Sequence, residues 1–421
     1  MSRPIVMVMP YRALVEKARE EGFAVHAVWD ARVARGIFGG GADAYLAALR
    51  RLAASLELTD FDDPHAFEQA LRRSVDHSGA ELLYHVGAEE SMLATARLAE
   101  RWGLQVNPAR AVELLNDKRA MRRMLAGTGV SPVRFAEVTS VAGVRDVLAG
   151  FELPVVVKPT DLSGSRAVYL LHDPAELDGY ADLLERYGYR GPLLVEEYLR
   201  GDEYSVETVS VQGHHQVVGV TRKVLGPAPL FVEAGHRHPA VEAADAGRVE
   251  AIGALAVRLL DLAGYRTGPA HTEVIWTPDG PRIVESQARL GGDRIPRLVE
   301  LATGVDLERE VFRALRGDAL QRPHRPVAAA GIAYLQLPLG RVTAVRVTDA
   351  SADLEGLDEV SFPWHVGDVV PATVDWRSRH GYVVARAATA QELERLLATA
   401  SRRLAESVVV EPVAAASVGR S

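Results

Sequence analysis

The segment His271-Thr272-Glu273-Val274-Ile275-Trp276-Thr277-Pro278-Asp279-Gly280-Pro281-Arg282-Ile283-Val284-Glu285-Ser286-Gln287-Ala288-Arg289 constrains this chain more than any other. Two runs rich in β-branched residues flank Pro-Asp-Gly, which is the pattern of a hairpin. Pro suits the start of a type I turn and Gly the left-handed position, so a three-residue loop is expected. Thr277 then faces Pro281, Glu273 faces Glu285 and His271 faces Gln287. Alternate strand residues share a face, so these four side chains and Arg289 all lie on one side. A slip of one residue would part the two glutamates. Opposed carboxylates repel, so a cation belongs between them. All-oxygen ligands suit Mg²⁺ or Mn²⁺; Arg289 as a structural ion pair is the other choice. His271 by itself reads as an orienting or packing residue.

The chain has 421 residues, 48% apolar and 25% charged. At about 100–200 residues per domain this predicts several domains and no long disorder. No run of roughly 18 apolar residues is present, so no membrane-spanning helix is expected. Met1 to Pro10 enters a strand pattern without a signal-peptide profile, so a cytoplasmic protein is expected. There is no Cys, which excludes disulfides, thiol nucleophiles and thiolate metal sites. The net charge of −8 offers no electrostatic case for nucleic acid. Of 48 basic residues only Lys17, Lys118, Lys158 and Lys223 are lysines, and Asn occurs only at 107 and 116. Coding bias explains such depletion. A lysine that survives it then marks a place where Arg, a rigid planar fork, cannot serve.

Residues 4–110 alternate strands (Ile5–Met9, Phe23–Trp29, Glu81–Val86) with helices (Tyr11–Glu21, Ala44–Leu56, Glu89–Trp102). That alternation predicts a parallel sheet covered by helices. Gly39-Gly40-Gly41-Ala42-Asp43-Ala44 loosely fits a dinucleotide motif but lies well past the strand, so an ordinary loop is favoured. Further on, a helix is expected at 117–126 and strands at 153–158, 167–171, 193–197 and 204–211. A helix capped by Asp245 is expected to run to Ala263. Residues 331–390 read as β-rich and 391–406 as helix.

Three more segments carry chemistry. The strand Leu153–Lys158 ends in a lysine and is followed by Ser163-Gly164-Ser165. Such a turn aims backbone N–H groups at an anion, or is simply a turn. No Walker A motif is present. Glu196-Glu197-Tyr198-Leu199 leaves a buried strand before Gly201-Asp202-Glu203. It suits an adenine edge and ribose hydroxyls, or a solvated acidic turn. Thr221-Arg222-Lys223 and Phe231–Pro239 read as a loop region between strands. There Glu233 suits an ammonium and Arg222 or Lys223 a carboxylate, against a charged surface loop. Solvated histidines are favoured over zinc at His236 and His238. Glu89 and Glu90 open a helix and fit dipole compensation.

The order and spacing of these pieces resemble the ATP-grasp superfamily, and most of all its carboxylate–amine ligases, the L-amino-acid ligases. The motifs are Asn116-Asp117-Lys118-Arg119-Ala120-Met121, Val156-Val157-Lys158-Pro159 with Ser163-Gly164-Ser165, Glu196–Leu199 with Glu203, His271-Thr272-Glu273, and Glu285 to Asp293. The resemblance implies an α/β fold: an N-terminal parallel domain over 1–110, a two-lobed core over 111–195 and 196–325, and a β-rich C-terminal domain over 326–421. It implies ATP held by Lys118, Lys158, Ser163, Gly164, Ser165, Glu196, Glu197, Leu199 and Glu203. It implies Mg²⁺ or Mn²⁺ on Glu273, Glu285 and Gln287, the last in place of the usual Asn. Arg289 and His271 would act at the reacting centre, with Arg222, Lys223, Glu233, His236 and Glu89 toward the substrates. Where the family often has glycine after the basic loop residue, this chain has Ala167, which should stiffen the loop. A homodimer also fits. The alternatives are a bicarbonate-using carboxylase or purine-pathway ligase of the same superfamily, and a non-catalytic nucleotide-binding protein. No biotin-carrier segment favours the first, and the intact Glu273, Glu285 and Arg289 set argues against the last.

Overall fold

The computed structural model describes residues 2–87, 89–162, 164–240, 246–321, 326–346 and 355–412. The initial alternation builds a parallel sheet of β1 (Arg3–Val8), β2 (Phe23–Trp29), β3 (Ser55–Leu58) and β4 (Leu83–His85) in the order β3-β2-β1-β4. Ile5 to Val8 are wholly buried because helices cover both faces of the sheet. The expected helix at 44–56 is shorter, Ala42–Leu52, and yields to β3. Gly39–Gly41 is a single 3-10 turn between two helices, not a strand-to-helix turn. The helix Leu307–Arg316 closes this core from far along the chain: the Phe312 and Phe23 rings lie 5.6 Å apart.

A second, antiparallel sheet joins β5 (Phe135–Val138), β6 (Val155–Pro159), β7 (Tyr169–Leu171) and β8 (Leu193–Glu197) in the order β5-β8-β6-β7. It has a core of its own around Val144, Val157, Tyr180 and Val195. Next come β9 (Asp202–Val211), β10 (His214–Leu225), β11 (Glu233–His238), β12 (Gly268–Thr277), β13 (Gly280–Gln287) and β14 (Ala329–Tyr334). The last strands are β15 (Gly340–Val345), β16 (Leu357–Ser361), β17 (Val369–Val370), β18 (Tyr382–Ala387) and β19 (Val408–Glu411). One eight-stranded sheet runs β13-β12-β9-β10-β11-β14-β18-β16, so the hairpin's sheet continues unbroken into the C-terminal strands. The segment read as a loop, 231–239, is largely β11, because it pairs with both β10 and the distant β14. Asp245 lies outside the described residues; its helix is described as Ala246–Ala263.

The hairpin reaches its expected pairing by another route. Thr277 pairs with Gly280, so Pro278-Asp279 make a two-residue turn. Thr277 Oγ1 closes it, donating to the Gly280 carbonyl at 2.7 Å and accepting from the Asp279 N–H at 3.2 Å. Val274 pairs with Ile283, yet Glu273 pairs with Glu285. Val284 is the extra residue of a β-bulge, which takes up the residue that the shorter turn releases.

Gly201 joins β8 to β9 under the hairpin, and a Cβ there would lie 1.9 Å from the Trp276 carbonyl oxygen. Gly201→Ala should therefore destabilise the protein by about 2–4 kcal/mol, since backbone must move. Urea denaturation would show this as a lowered midpoint.

Candidate active site

All four lysines hold carboxylates, and three of them belong to one linked set of buried charges around the hairpin. Lys118 is the first residue of the helix Lys118–Thr128, whose N-cap Asp117 accepts from the Arg119 and Ala120 N–H groups. Its Nζ lies 3.0 Å from Glu285 and donates to the Leu162 carbonyl at 3.0 Å. Lys158, at the end of β6, is buried and 2.7 Å from Glu196. Lys223, on β10, is buried 2.5 Å from Glu203, 2.9 Å from Glu273 and 3.4 Å from Glu233. Burial opposes its charge, but these carboxylates raise its pKa well above the ordinary value. Lys17 lies elsewhere, 2.7 Å from both Asp306 and Glu308. Strand alternation separates Arg222 from Lys223: Arg222 is exposed, 3.5 Å from Asp202, on the other face of the strand.

The opposed glutamates are thus balanced by lysines, Glu273 by Lys223 and Glu285 by Lys118. Arg289 donates to the Leu290 carbonyl at 2.9 Å, and its stem packs where a Cβ on Gly87 would meet it. His271 sits 3.4 Å from Glu273 and 2.5 Å from Glu207. Burial lowers its pKa, yet Glu207 outweighs burial and raises it to about 10, so the ring stays protonated at neutral pH. Glu207 also accepts from the Gly291 N–H at 3.0 Å; a Cβ on Gly291 would strike both Glu207 and His271. Glu207 escaped the sequence reading, although a charge within a strand buried on both faces is a signal. Gln287 donates to Glu285 at 2.6 Å, and its buried Oε1 has no partner. Among the described residues no three His, Asp or Glu side chains converge as a metal-holding group. A cation here would need that amide oxygen beside the two carboxylates.

Glu196 is buried between Lys158 and Arg122. Burial pushes its carboxyl up, but the two cations prevail and hold it at about 2. Glu197 accepts from the Arg134 N–H at 2.8 Å, and Leu199 lies where the chain leaves the sheet. In the loop, Gly164, Ser165 and Ala167 all have positive φ. Ala167 takes a conformation that costs L-residues roughly 1–2 kcal/mol. Ser163 is outside the described residues. Glu89 opens the helix Glu89–Trp102, and its side chain is likewise outside.

The connection between β17 and β18 reaches into this site. Trp376 covers Gly164 so closely that a Cβ there would lie 2.2 Å from its ring. Arg379, 7% exposed, pairs with Glu233 and Asp293 and stacks 3.8 Å over the Tyr334 ring. Glu233 is therefore engaged by Arg379 and Lys223. His236 pairs with Asp293 at 3.0 Å, not with His238, which turns to Thr221 at 3.1 Å. Burial lowers the His238 pKa to about 4. A depressed histidine costs stability as pH falls from about 6.5 to about 4, because only the unfolded chain takes up the proton there. The loss should be about 3 kcal/mol. His238→Gln should flatten the fall in thermal midpoint between pH 7 and pH 4.5.

Residues 151–297 match the ATP-grasp domain model, and residues 333–409 match the L-amino acid ligase C-terminal domain 2. The chain carries an ATP-grasp domain. Its C-terminal match covers the segment between β17 and β18 that carries Trp376 and Arg379. The chain is 29% identical to the uncharacterised protein y4rH of Sinorhizobium fredii, over 86% of its own length and 74% of the relative's. It is 25% identical to dapdiamide A synthase of Enterobacter agglomerans, over 64% of this chain and 66% of that one. It is 26% identical to alanine–anticapsin ligase of Bacillus subtilis, over 50% of this chain and 49% of that one, so it spans about half of that relative's length. The fold matches an L-amino acid ligase from Bacillus licheniformis with TM-score 0.77 at 20% identity, covering 98% and 99% of the two chains. Among the described residues no helix is long and apolar enough to cross a membrane.

Proposed function

We propose that this chain uses ATP to join the carboxylate of an amino acid, or a similar small acid, to an amine. The supporting observation is that Lys118, Lys158 and Lys223, from three separate segments, pair with the carboxylates of the motifs read as adenine, ribose and hairpin sites. Lys118 and Lys158 take phosphate oxygens, Glu196 and the chain at Glu197 and Leu199 the adenine, and Glu203 the ribose. Gly164 and Ser165 close over the phosphates beneath Trp376.

Glu273, Glu285 and the unpartnered Gln287 Oε1 fit a hard divalent cation such as Mg²⁺, for which Lys223 and Lys118 provide charge balance in the ligand-free chain. When bound, such an ion neutralises charge on the transferring phosphoryl group. Lysines and backbone N–H groups spread the rest. The substrate carboxylate attacks the γ-phosphorus as the bond to ADP breaks, giving an acyl phosphate. The amine then attacks the acyl carbon, a proton leaves the nitrogen, and phosphate departs. Arg289 and the protonated His271 steady the oxyanion. No protein nucleophile is needed, which suits a chain without Cys.

The reading keeps the domain limits near residues 110, 195 and 325. It keeps the cytoplasmic, homodimeric setting, which light scattering and cell fractionation would check. A matrix of amino acids and amines, scored by phosphate release and mass spectrometry, tests the chemistry. ADP formation that needs both substrates and yields an amide is expected. ADP with the acid alone, and no amide with any amine, overturns it; turnover dependent on bicarbonate points to a carboxylase.

A further inference from the structure

The bulge at Val284 decides whether the two hairpin glutamates face each other, and one side chain outside the hairpin grips it. β13 is the edge strand of its sheet. Arg122, from the helix Lys118–Thr128, is 2% exposed and covers that edge. Its Nη1 donates to the Ile283 carbonyl at 2.7 Å and its Nη2 to the Val284 carbonyl at 3.1 Å. Consecutive carbonyls of a regular strand point to opposite sides, so one guanidinium cannot reach both. The bulge turns them the same way, and the planar fork takes the pair. Ser131 Oγ accepts from the Ile283 N–H at 2.7 Å, holding the same residue from its other group. The third nitrogen of Arg122, Nε, donates to Glu196, the carboxylate that Lys158 shares.

We propose that Arg122 is a positioning residue: its guanidinium pins the Ile283–Val284 bulge and thereby fixes Glu285 opposite Glu273. The proposal rests on the reading of those two glutamates as cation ligands. Without the pin, the strand slips to the register of its turn. Val284 then faces Glu273, and Glu285 passes to the other face. Lysine cannot replace the fork, because an ammonium offers a point charge where two carbonyls and a carboxylate need three donors in a plane. The nearby Arg123 is the natural control, being exposed and paired only with Glu137 among the contacts described.

The test measures Mn²⁺ binding by calorimetry in the presence of ADP, and hydrogen exchange at the Ile283–Glu285 amides, on the full chain. Arg122→Lys should weaken Mn²⁺ about tenfold or more and speed exchange at those amides, as loss of an outer-shell partner does. Arg123→Lys should change neither. Deleting Val284 makes the ladder regular, with Glu285 next to Ile283 and still opposite Glu273. In that background Arg122→Lys should cost less than about threefold. Equal losses in both backgrounds, or wild-type Mn²⁺ binding by Arg122→Lys, overturn the proposal. If Arg122→Lys does not fold but the Val284 deletion with Arg122→Lys folds and binds Mn²⁺, the pin is supported; if neither folds, Arg122 serves the fold generally and the proposal fails. A wild-type protein that binds no Mn²⁺ with ADP present would instead overturn the cation reading of the hairpin.

Discussion

Glu285→Ala is expected to cut amide formation by at least about a thousandfold while the protein stays folded, a loss of roughly 4 kcal/mol in transition-state stabilisation. The side chain is one of an opposed pair, and its partners are Lys118 at 3.0 Å and Gln287 at 2.6 Å. Removing it withdraws one of the two carboxylates that would hold the cation. It also leaves Lys118 with one carboxylate fewer and the Gln287 amide without its acceptor. Steady-state amide formation, set beside the thermal midpoint, separates the site from the fold. Unchanged product formation would end the assignment of this hairpin to metal.

Lys158→Arg should lower kcat/KM for ATP about a hundredfold despite the conserved charge. Lys158 is 3% exposed and fits against a carboxylate that already receives the Arg122 guanidinium. A second fork has no room there, and its charge would be spread where a phosphate oxygen needs a compact ammonium. Lys17→Arg is the contrast: it bridges Asp306 and Glu308 near the surface, a task that a guanidinium performs equally well. ATP titrations of both variants decide the matter. Near-normal turnover by Lys158→Arg would return the scarcity of lysine to coding bias alone.

Residue scarcity coincides with the candidate site. Three of the four lysines pair with its carboxylates, and both asparagines tie distant backbone. Asn107 accepts from the Arg266 and Thr267 N–H groups, and Asn116 accepts from the Ala288 N–H beside Arg289. The parallel start, the hairpin and the helix at Asp117 were legible because their signals are local: period, turn residues and caps. The bulge was not. Turn preference alone allows two or three residues, and what fixes the choice is Arg122 reaching across from another segment. β11 read as a loop because its strand character comes from β14, which follows almost a hundred residues later. Glu207, Arg122, Trp376 and Arg379 share that property: each acquires its role from partners that sequence distance hides.

The unbroken sheet has a consequence for how the molecule comes into being. A nascent chain released through residue 325 already contains every lysine and carboxylate of the candidate site. β11 nevertheless still lacks β14 on its outer side, and such an open edge invites wrong pairing. Gly164 has no indole above it, and Glu233 has no guanidinium. Synthesis must run past Arg379 before Gly164 and Glu233 acquire their cover. The last quarter of the polypeptide is therefore the step at which an assembled set of charges becomes an enclosed site, and a chain truncated before it would be made whole in composition yet unfinished in structure.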